Sequence, residues 1–316
     1  MQVEPQEKHS PAISVVIPTL NRAAPLRDVL NYFLEDEPFR DFEIIIVDQS
    51  DELNQELVDL SQSMPDTLRY EFVDFRQTTR ARNLGVELAR AGLVVFSEDD
   101  VKPWPGLLKE YWKLFQDCNV QGATGPVLAP GQPVRTREQF SELELRLLHE
   151  CRIMVLDGDF AFSARYGAGG NSAYRKAAIV HAGGFDERYV GNAWGEELEF
   201  GYRFRKKAGP IHYLPSAGVV HLAVPSGGSR NANRNIYIRD FVRNAIYTTW
   251  RIDSRSEQLV MEAWRSYRRL VLNKATFKRG NLLRGSLAFV SGLISVSNLI
   301  RECKKNSTIK ETCSDR

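Results

Sequence analysis

Apolar residues along this chain recur with two periods, and the periods alternate. Ile13-Ser14-Val15-Val16-Ile17 is a short, nearly continuous apolar run that ends in Pro18-Thr19, the mark of a buried strand. Leu26, Val29, Leu30, Phe33 and Leu34 then fall at i, i+3, i+4, i+7 and i+8, which predicts one apolar face of a helix. Residues 42–47 form a second strand ending in Asp48, and Leu53, Leu57 and Leu60 mark a second helix. A third strand is expected over 68–73, and a helix over 79–91 with Arg80 and Arg82 near its start. A fourth strand, 93–96, runs into the acids Glu98-Asp99-Asp100. This alternation predicts an α/β fold with a mostly parallel central sheet and helices on both faces. Right-handed crossovers then line up Pro18, Asp48 and Asp99-Asp100 along one sheet edge, where open α/β sheets bind ligands.

Beyond Pro105 the pattern loosens. Helices are expected over 107–115 and 140–148, and a short strand over 121–125. The run 169–175 reads as a loop whose backbone approaches a ligand at Gly170 and Asn171, or as a plain turn before a helix at 177–181. Residues 194–205 are expected to be helical. Glu196 and Glu197 at their start either answer the helix dipole, or Glu197 points into the crevice as a general base. Trp194 is either core or an apolar platform for a sugar ring. Short strands at 211–214 and 218–220 follow. The second ends in His221, a candidate metal ligand in the same region as the carboxylates. Residues 225–229 read as a flexible loop and candidate lid. From 236 onward the chain is expected to be helical, over 236–250, 257–272 and 282–300, which divides it into a sheet domain, 1–235, and a helical extension, 236–316.

Composition changes this picture in one place. The net charge of +2 gives no reason to expect nucleic acid, but residues 236–316 carry 16 Lys+Arg against 7 Asp+Glu. A basic helical extension suits an anionic partner such as lipid headgroups, or is simply a solvated face. The face made by Phe289, Val290, Leu293, Ile294, Leu299 and Ile300 would pack on the body, form a homodimer or lie on a membrane surface. No run is apolar for the ~20 residues a spanning helix needs, and the polar N-terminus is no signal peptide. The four cysteines have no metal-type spacing and read as free thiols of a reducing, cytoplasmic setting.

The chemistry turns on the acids. Three adjacent carboxylates are tolerated in solvent or around a cation that needs hard oxygen ligands. No G-x-G-x-x-G follows the first strand and no G-x-x-x-x-G-K-[ST] occurs, so a diphosphate here would need a metal ion or arginines to offset its charge. 

Taken together, the segments 15–22 (VVIPTLNR), 45–50 (IIVDQS), 80–85 (RARNLG), 96–101 (FSEDDV), 169–175 (GGNSAYR), 183–187 (GGFDE), 195–203 (GEELEFGYR) and 219–221 (VVH) resemble the family-2 glycosyltransferases of the GT-A fold, in the family's order. The resemblance implies a nucleoside-diphosphate sugar donor, Mg2+ or Mn2+, and inverting transfer to a hydroxyl of a glycan or lipid-linked acceptor. It implies that Pro18, with Thr19, Arg22 and Asp48, holds the base and ribose, that Asp99 reaches the ribose, and that Asp100 binds the metal. Arg80 and Arg82 would lie near the donor or brace the acid loop, and Glu197 would be the base, flanked by Glu196 with Arg203 behind it. Two departures stand out: Glu98 where the family usually has aspartate, and Glu196-Glu197 where it usually has Glu-Asp. The second leaves an alternative, a sugar-nucleotide-binding or scaffolding subunit that no longer transfers. The setting implied is the cytoplasm, with the extension at the inner face of the membrane.

Overall fold

A computed structural model describes residues 10–225, 227–228, 233–272 and 282–314. They divide into two units, one made of 1–76, 80–185 and 200–228, the other of 77–79, 186–199 and 229–316. The expected cut at 235 therefore needs correcting, because the segment 186–199 belongs with the C-terminal helices.

The first unit is built on an eight-stranded sheet in the order β3-β2-β1-β4-β9-β6-β10-β8. Its strands are β1 (Ile13–Thr19), β2 (Phe42–Asp48), β3 (Leu68–Phe72), β4 (Leu93–Ser97), β6 (Gly122–Thr124), β8 (Phe162–Ala164), β9 (Asn171–Arg175) and β10 (Ile211–Tyr213). β3, β2, β1 and β4 are mutually parallel, and β6 is parallel to β10. β9 runs antiparallel between β4 and β6, and β8 closes the far edge antiparallel to β10. The expected mostly parallel α/β sheet is thus what forms, with two reversed strands that apolar periodicity did not announce.

Alternation along β1 explains the layers. Ile13, Val15 and Ile17 pack on one face with Ile44 and Ile46, under Leu26, Val29 and Leu30 of α1 (Ala23–Asn31). Val16, Ile45 and Val47 point the other way, toward Ala81 and Val86 of α3 (Thr78–Leu88). α2 (Gln55–Ser63) links β2 to β3 and is capped by the Asn54 side chain, which accepts from the Leu57 N–H. α4 (Leu107–Leu114), α5 (Glu142–His149) and α6 (Lys176–Ala182) complete the main helices of this unit, together with most of α7 (Glu196–Lys207).

A small second sheet carries one part of the site. In it β11 (Val219–His221) pairs antiparallel with β5 (Val101–Pro103) and parallel with β7 (Val127–Leu128). The register sets His221 opposite Val101, one residue from the acid triplet.

The second unit packs α8 (Arg234–Ile252), α9 (Ser256–Leu270) and α10 (Leu282–Ser314) around a core that includes Phe241, Val242, Tyr247, Phe289 and Val296. Tyr189 and Ala193 from the 186–199 segment join that core. The expectation that no stretch reaches spanning length is corrected here. Residues Leu282–Asn306 lie in one helix, long and apolar enough, by length and composition, to cross a membrane. Serines and glycines within 285–300 masked this in the sequence, since a helix tolerates them without losing its length.

Candidate active site

The turn after β1 is where the site begins. Asn21 holds a positive φ of 54°, which asparagine tolerates better than most side chains. It is fixed there by the loop after β2: its N–H donates to Ser50 Oγ (2.7 Å), its amide donates to Asp51 Oδ2 (2.9 Å), and its Oδ1 accepts from the Asp51 N–H (3.0 Å). That turn sends Arg22 inward, where its side chain is buried under the acid triplet.

Arg22 then organises two carboxylates. Its Nη1 lies 2.9 Å from Asp99 Oδ1 and 3.0 Å from Asp100 Oδ2, while Nη2 donates to the Val224 carbonyl (3.0 Å). Thr19 Oγ1 donates to Asp99 Oδ2 (2.7 Å), and the Val224 N–H donates to Asp100 Oδ2 (3.1 Å). Gly228 sits over this guanidinium at φ +67°, and a Cβ there would come within 2.7 Å of Arg22 Cζ. Only glycine combines that conformation with that approach.

The two acids respond differently. Burial pushes the Asp99 carboxyl up, and hydrogen bonds from Thr19 and Arg22 counter this only in part. Burial pushes Asp100 the same way. Its hydrogen bond and charge interaction with His221, joined by Arg22 and the Val224 N–H, more than offset that and hold it below the usual carboxylate range. The lowering at Asp100 favours its carboxylate, the form a cation needs.

His221 Nε2 lies 3.2 Å from Asp100 Oδ1 and 3.5 Å from Glu98 Oε2. One ligand atom each from Glu98, Asp100 and His221 falls within 4.8 Å of the others. Two hard oxygens and an imidazole at this spacing fit a divalent cation such as Mn2+ or Mg2+. Arg82, itself buried, stands 3.8 Å from Glu98 Oε1 and lies over the Phe185 ring at 5.4 Å, so it braces the acid loop. Gly170 backs the same loop: a Cβ there would stand 3.2 Å from Glu98 Oε2.

Beside the acids lies a cleft of about 400 Å3, lined among others by Thr19, Asn21, Arg22, Asp48, Ser50 and Asn54. That is within the range of small-molecule pockets, about 300–1,000 Å3. Asp48, paired in register with Thr19, is buried, accepting from the Ser50 N–H (2.9 Å) and the Tyr70 hydroxyl (2.8 Å). Burial, together with Asp48, raises the Tyr70 hydroxyl to about 12, so it stays a donor. Pro18 sits in β1 one residue before Thr19.

The side chains of Asn171, Arg80 and Arg203 are engaged elsewhere in this unit. The loop expected at 169–175 is corrected: Asn171 opens strand β9 and its side chain is wholly engaged. Its Oδ1 accepts from Tyr111 Oη (2.6 Å) and its amide donates to the carbonyls of Pro126 (2.9 Å) and Ala217 (2.7 Å). Arg80 is exposed and lies over the Phe75 ring at 4.1 Å. Arg203 donates to the Ala182 and Gly184 carbonyls (2.6 and 2.8 Å), closing the carboxyl end of α6. Glu196 and Glu197 open α7 and count with the second unit, as does Trp194, whose indole packs against Phe241 at 4.5 Å. Sequence reasoning missed Tyr70 and the Val224 backbone, which no local motif marks. It left Glu98 without a role, although its place beside Asp100 was a usable signal.

Similarity to known proteins bears on the family and the fold of this chain. The family model described as Glycosyl transferase family 2 matches residues 14–181. A chondroitin synthase of Escherichia coli is 25% identical over 262 residues, covering 72% of this chain and 37% of that protein. A hyaluronan synthase of Pasteurella multocida is 23% identical over 289 residues, covering 77% of this chain and 28% of that protein. The chain thus spans well under half the length of these relatives. Among solved structures, GalNAc-T7 with UDP, GalNAc and Mn2+ superposes with a TM-score of 0.57 at 16% identity, over 80% of this chain and 52% of that one. The mannosyltransferase PcManGT of Pyrobaculum calidifontis, with GDP-Man and Mn2+, gives 0.53 at 13% identity, over 93% and 89%. At such identities these structures speak to the fold alone, and the fold they share is of the GT-A type.

Proposed function

The chain belongs to glycosyl transferase family 2, and from that premise we propose that it moves a sugar from a nucleoside-diphosphate donor to a hydroxyl of a glycan or lipid-linked acceptor, with inversion at the anomeric carbon. The observation that carries this reading is the convergence of Glu98, Asp100 and His221 beside the cleft at Thr19, Arg22 and Asp48. In this reading the cleft takes the base and ribose, with Asp48 and Tyr70 as its polar floor and Asp99 reaching the ribose. Glu98, Asp100 and His221 would hold the cation. When bound, Mg2+ or Mn2+ would offset the negative charge gathering on the leaving diphosphate. Glu197 takes the proton of the acceptor hydroxyl as that oxygen bonds to the anomeric carbon, and the bond from that carbon to the diphosphate oxygen breaks in the same step. One base and one displacement give inversion.

The free thiols Cys118, Cys151 and Cys303 fit a cytoplasmic setting for this reaction. The test is a panel of nucleotide sugars, read by thermal shift and nucleoside diphosphate release with Mn2+ present. A donor that stabilises the chain and is turned over, with EDTA abolishing both, is the expected result. Glu197→Gln should keep donor binding and lose about 10²–10⁴-fold in turnover, the usual range for a general base. Wild-type turnover in that variant would remove Glu197 from the mechanism.

A second reading rests on Glu196-Glu197 standing where the family usually has Glu-Asp. The longer side chain shifts the carboxylate by one methylene, and small misplacements of a catalytic group are costly. A donor-binding or scaffolding subunit would then bind nucleoside diphosphate with Mn2+ and transfer to no acceptor in a broad screen.

A further inference from the structure

The second unit presents an apolar surface that its own packing leaves uncovered. α10 buries one side, through Ala288, Phe289, Val296 and Leu299. Another side carries Leu283, Leu287, Val290 and Ile294, whose exposure runs from 49% to 73%. Steps of four, three and four keep these on a single stripe, and Arg301 follows Ile294 one heptad later. On α9, Val260, Met261 and Trp264 are exposed as well, with Arg265 and Arg268 close behind. The two sets meet at a seam. Trp264 stacks on Tyr267 at 6.3 Å, and Tyr267 reaches α10 through the Phe289 ring (5.0 Å) and the Ser286 hydroxyl (3.2 Å). Ser286 lies three residues after Leu283 and four before Val290, on neighbouring positions of the helix. Near the α10 N-terminus Arg284 lines a groove of about 340 Å3 with Arg239 and Leu287.

We propose that this α9/α10 surface docks on an anionic lipid bilayer, the stripe entering the boundary between headgroups and acyl chains and the arginines meeting lipid phosphates. Single exposed apolar residues are ordinary, but a contiguous stripe with a tryptophan and bordering arginines is the pattern of an interfacial helix. The charges select lipid over a second copy of the chain. In a two-fold contact through the stripe, Arg284 and Arg301 would be held on a face packed against its own copy, so like charges would gather there. Arg239 is paired with Asp240, Arg251 with Glu199, and Arg265 of the surface lies 4.0 Å from Glu262, while Arg284 makes no ion pair among the described residues. The helix lies on the bilayer and does not cross it. Its buried side packs on α8, which carries buried Asp240, Asn244 and Thr248, and crossing would strip that side of its cover or take those polar groups into hydrocarbon.

The test is flotation of the full chain with phosphatidylcholine vesicles, with and without phosphatidylglycerol, at low and high salt. Binding to the phosphatidylglycerol vesicles is expected, at least about tenfold weaker on neutral vesicles or in high salt. Ile294→Glu should weaken it by at least about tenfold. Arg268→Glu, at an exposed position, should act in the same direction. Circular dichroism and nucleoside diphosphate binding with Mn2+ should be unchanged in both, which separates failure of this surface from failure of the transfer reading. Four results would overturn the proposal: no flotation with anionic vesicles, equal flotation of parent and variants, a lipid-free dimer that Ile294→Glu dissociates, or retention in native membranes through an alkaline carbonate wash.

Discussion

Each unit of this molecule buries carboxylates among arginines, and the two do it for opposite ends. In the helical unit two buried acids are matched. Asp186 takes Arg188 in two hydrogen bonds (2.7 and 2.8 Å) and the Tyr247 hydroxyl (2.8 Å), and Glu199 takes Arg251 at 2.9 Å. In the sheet unit the acids crowd. Glu98, Asp99 and Asp100 are consecutive, one buried Arg22 serves two of them, and the imidazole of His221 stands between the other pairing. Matched acids hold a fold together, because each charge finds its counterpart inside the chain. Crowded acids leave negative charge for something outside the chain to answer, which is what a cation site requires.

The largest test of this contrast is Asp100→Asn. If Asp100 is a metal ligand, turnover should fall by on the order of 10³-fold, or ~4 kcal/mol in the barrier, and Mn2+-dependent nucleotide binding should go with it. Stability at neutral pH should also fall in metal-free buffer, though less than activity does, because Asp100 is held as a carboxylate by His221, Arg22 and the Val224 N–H. Titration of nucleotide with and without Mn2+, beside urea unfolding, reads both. A variant that unfolds readily but still binds nucleotide through Mn2+ would place Asp100 with the matched acids instead.

How much of this was legible beforehand follows the same division. The strands β1 to β4 and the helices between them announce themselves because each carries its own apolar period, and acids at the ends of such strands can be read directly. His221 was legible for that reason too. The reversed strand β9 was not: Asn171-Ser172-Ala173-Tyr174 has no apolar alternation, and it becomes a strand only because β4 and β6 flank it. Asn171 accordingly looked like a ligand-facing amide, when its hydrogen bonds tie three segments of the core together. The attachment of 186–199 to the helices was hidden as well. It is held by polar contacts such as the Asn244 amide to the Val190 carbonyl (2.8 Å) and the Tyr189 hydroxyl to Thr248 (2.8 Å), whose partners lie more than fifty residues away.

The next effect belongs to the matched side. Arg251→Met should leave Glu199, whose side chain is 1% exposed, buried without its guanidinium. Breaking a buried pair on one side typically costs about 3–5 kcal/mol, and the low end applies because Arg251 is itself 28% exposed. Hydrogen exchange of the 238–250 amides should show the loss, and amides of β1 and β2 should not. A loss shared equally by both sets would mean the two units unfold as one.

The smallest effect, and the sharpest test of the contrast, is in pH. Burial pushes the Asp186 carboxyl up, but the Arg188 side chain and N–H and the Tyr247 hydroxyl pull it down further, so it ends below its ordinary value. A group depressed in the folded state contributes stability that is fully present above its unfolded value, about 3.9, and is lost as pH falls through the folded one. The helical unit should therefore hold its exchange protection from neutral pH down to about 5 and lose part of it below about 4. Asp186→Asn should lower protection at neutral pH and remove that part of the acid loss, so the two curves converge as pH falls. The acid cluster cannot give so simple a slope, since Asp99 is raised while Asp100 is lowered and their contributions oppose. Parallel curves for parent and Asp186→Asn would mean that Arg188 stabilises the unit through its packing over the Tyr247 ring, and that the match of charge counts for little.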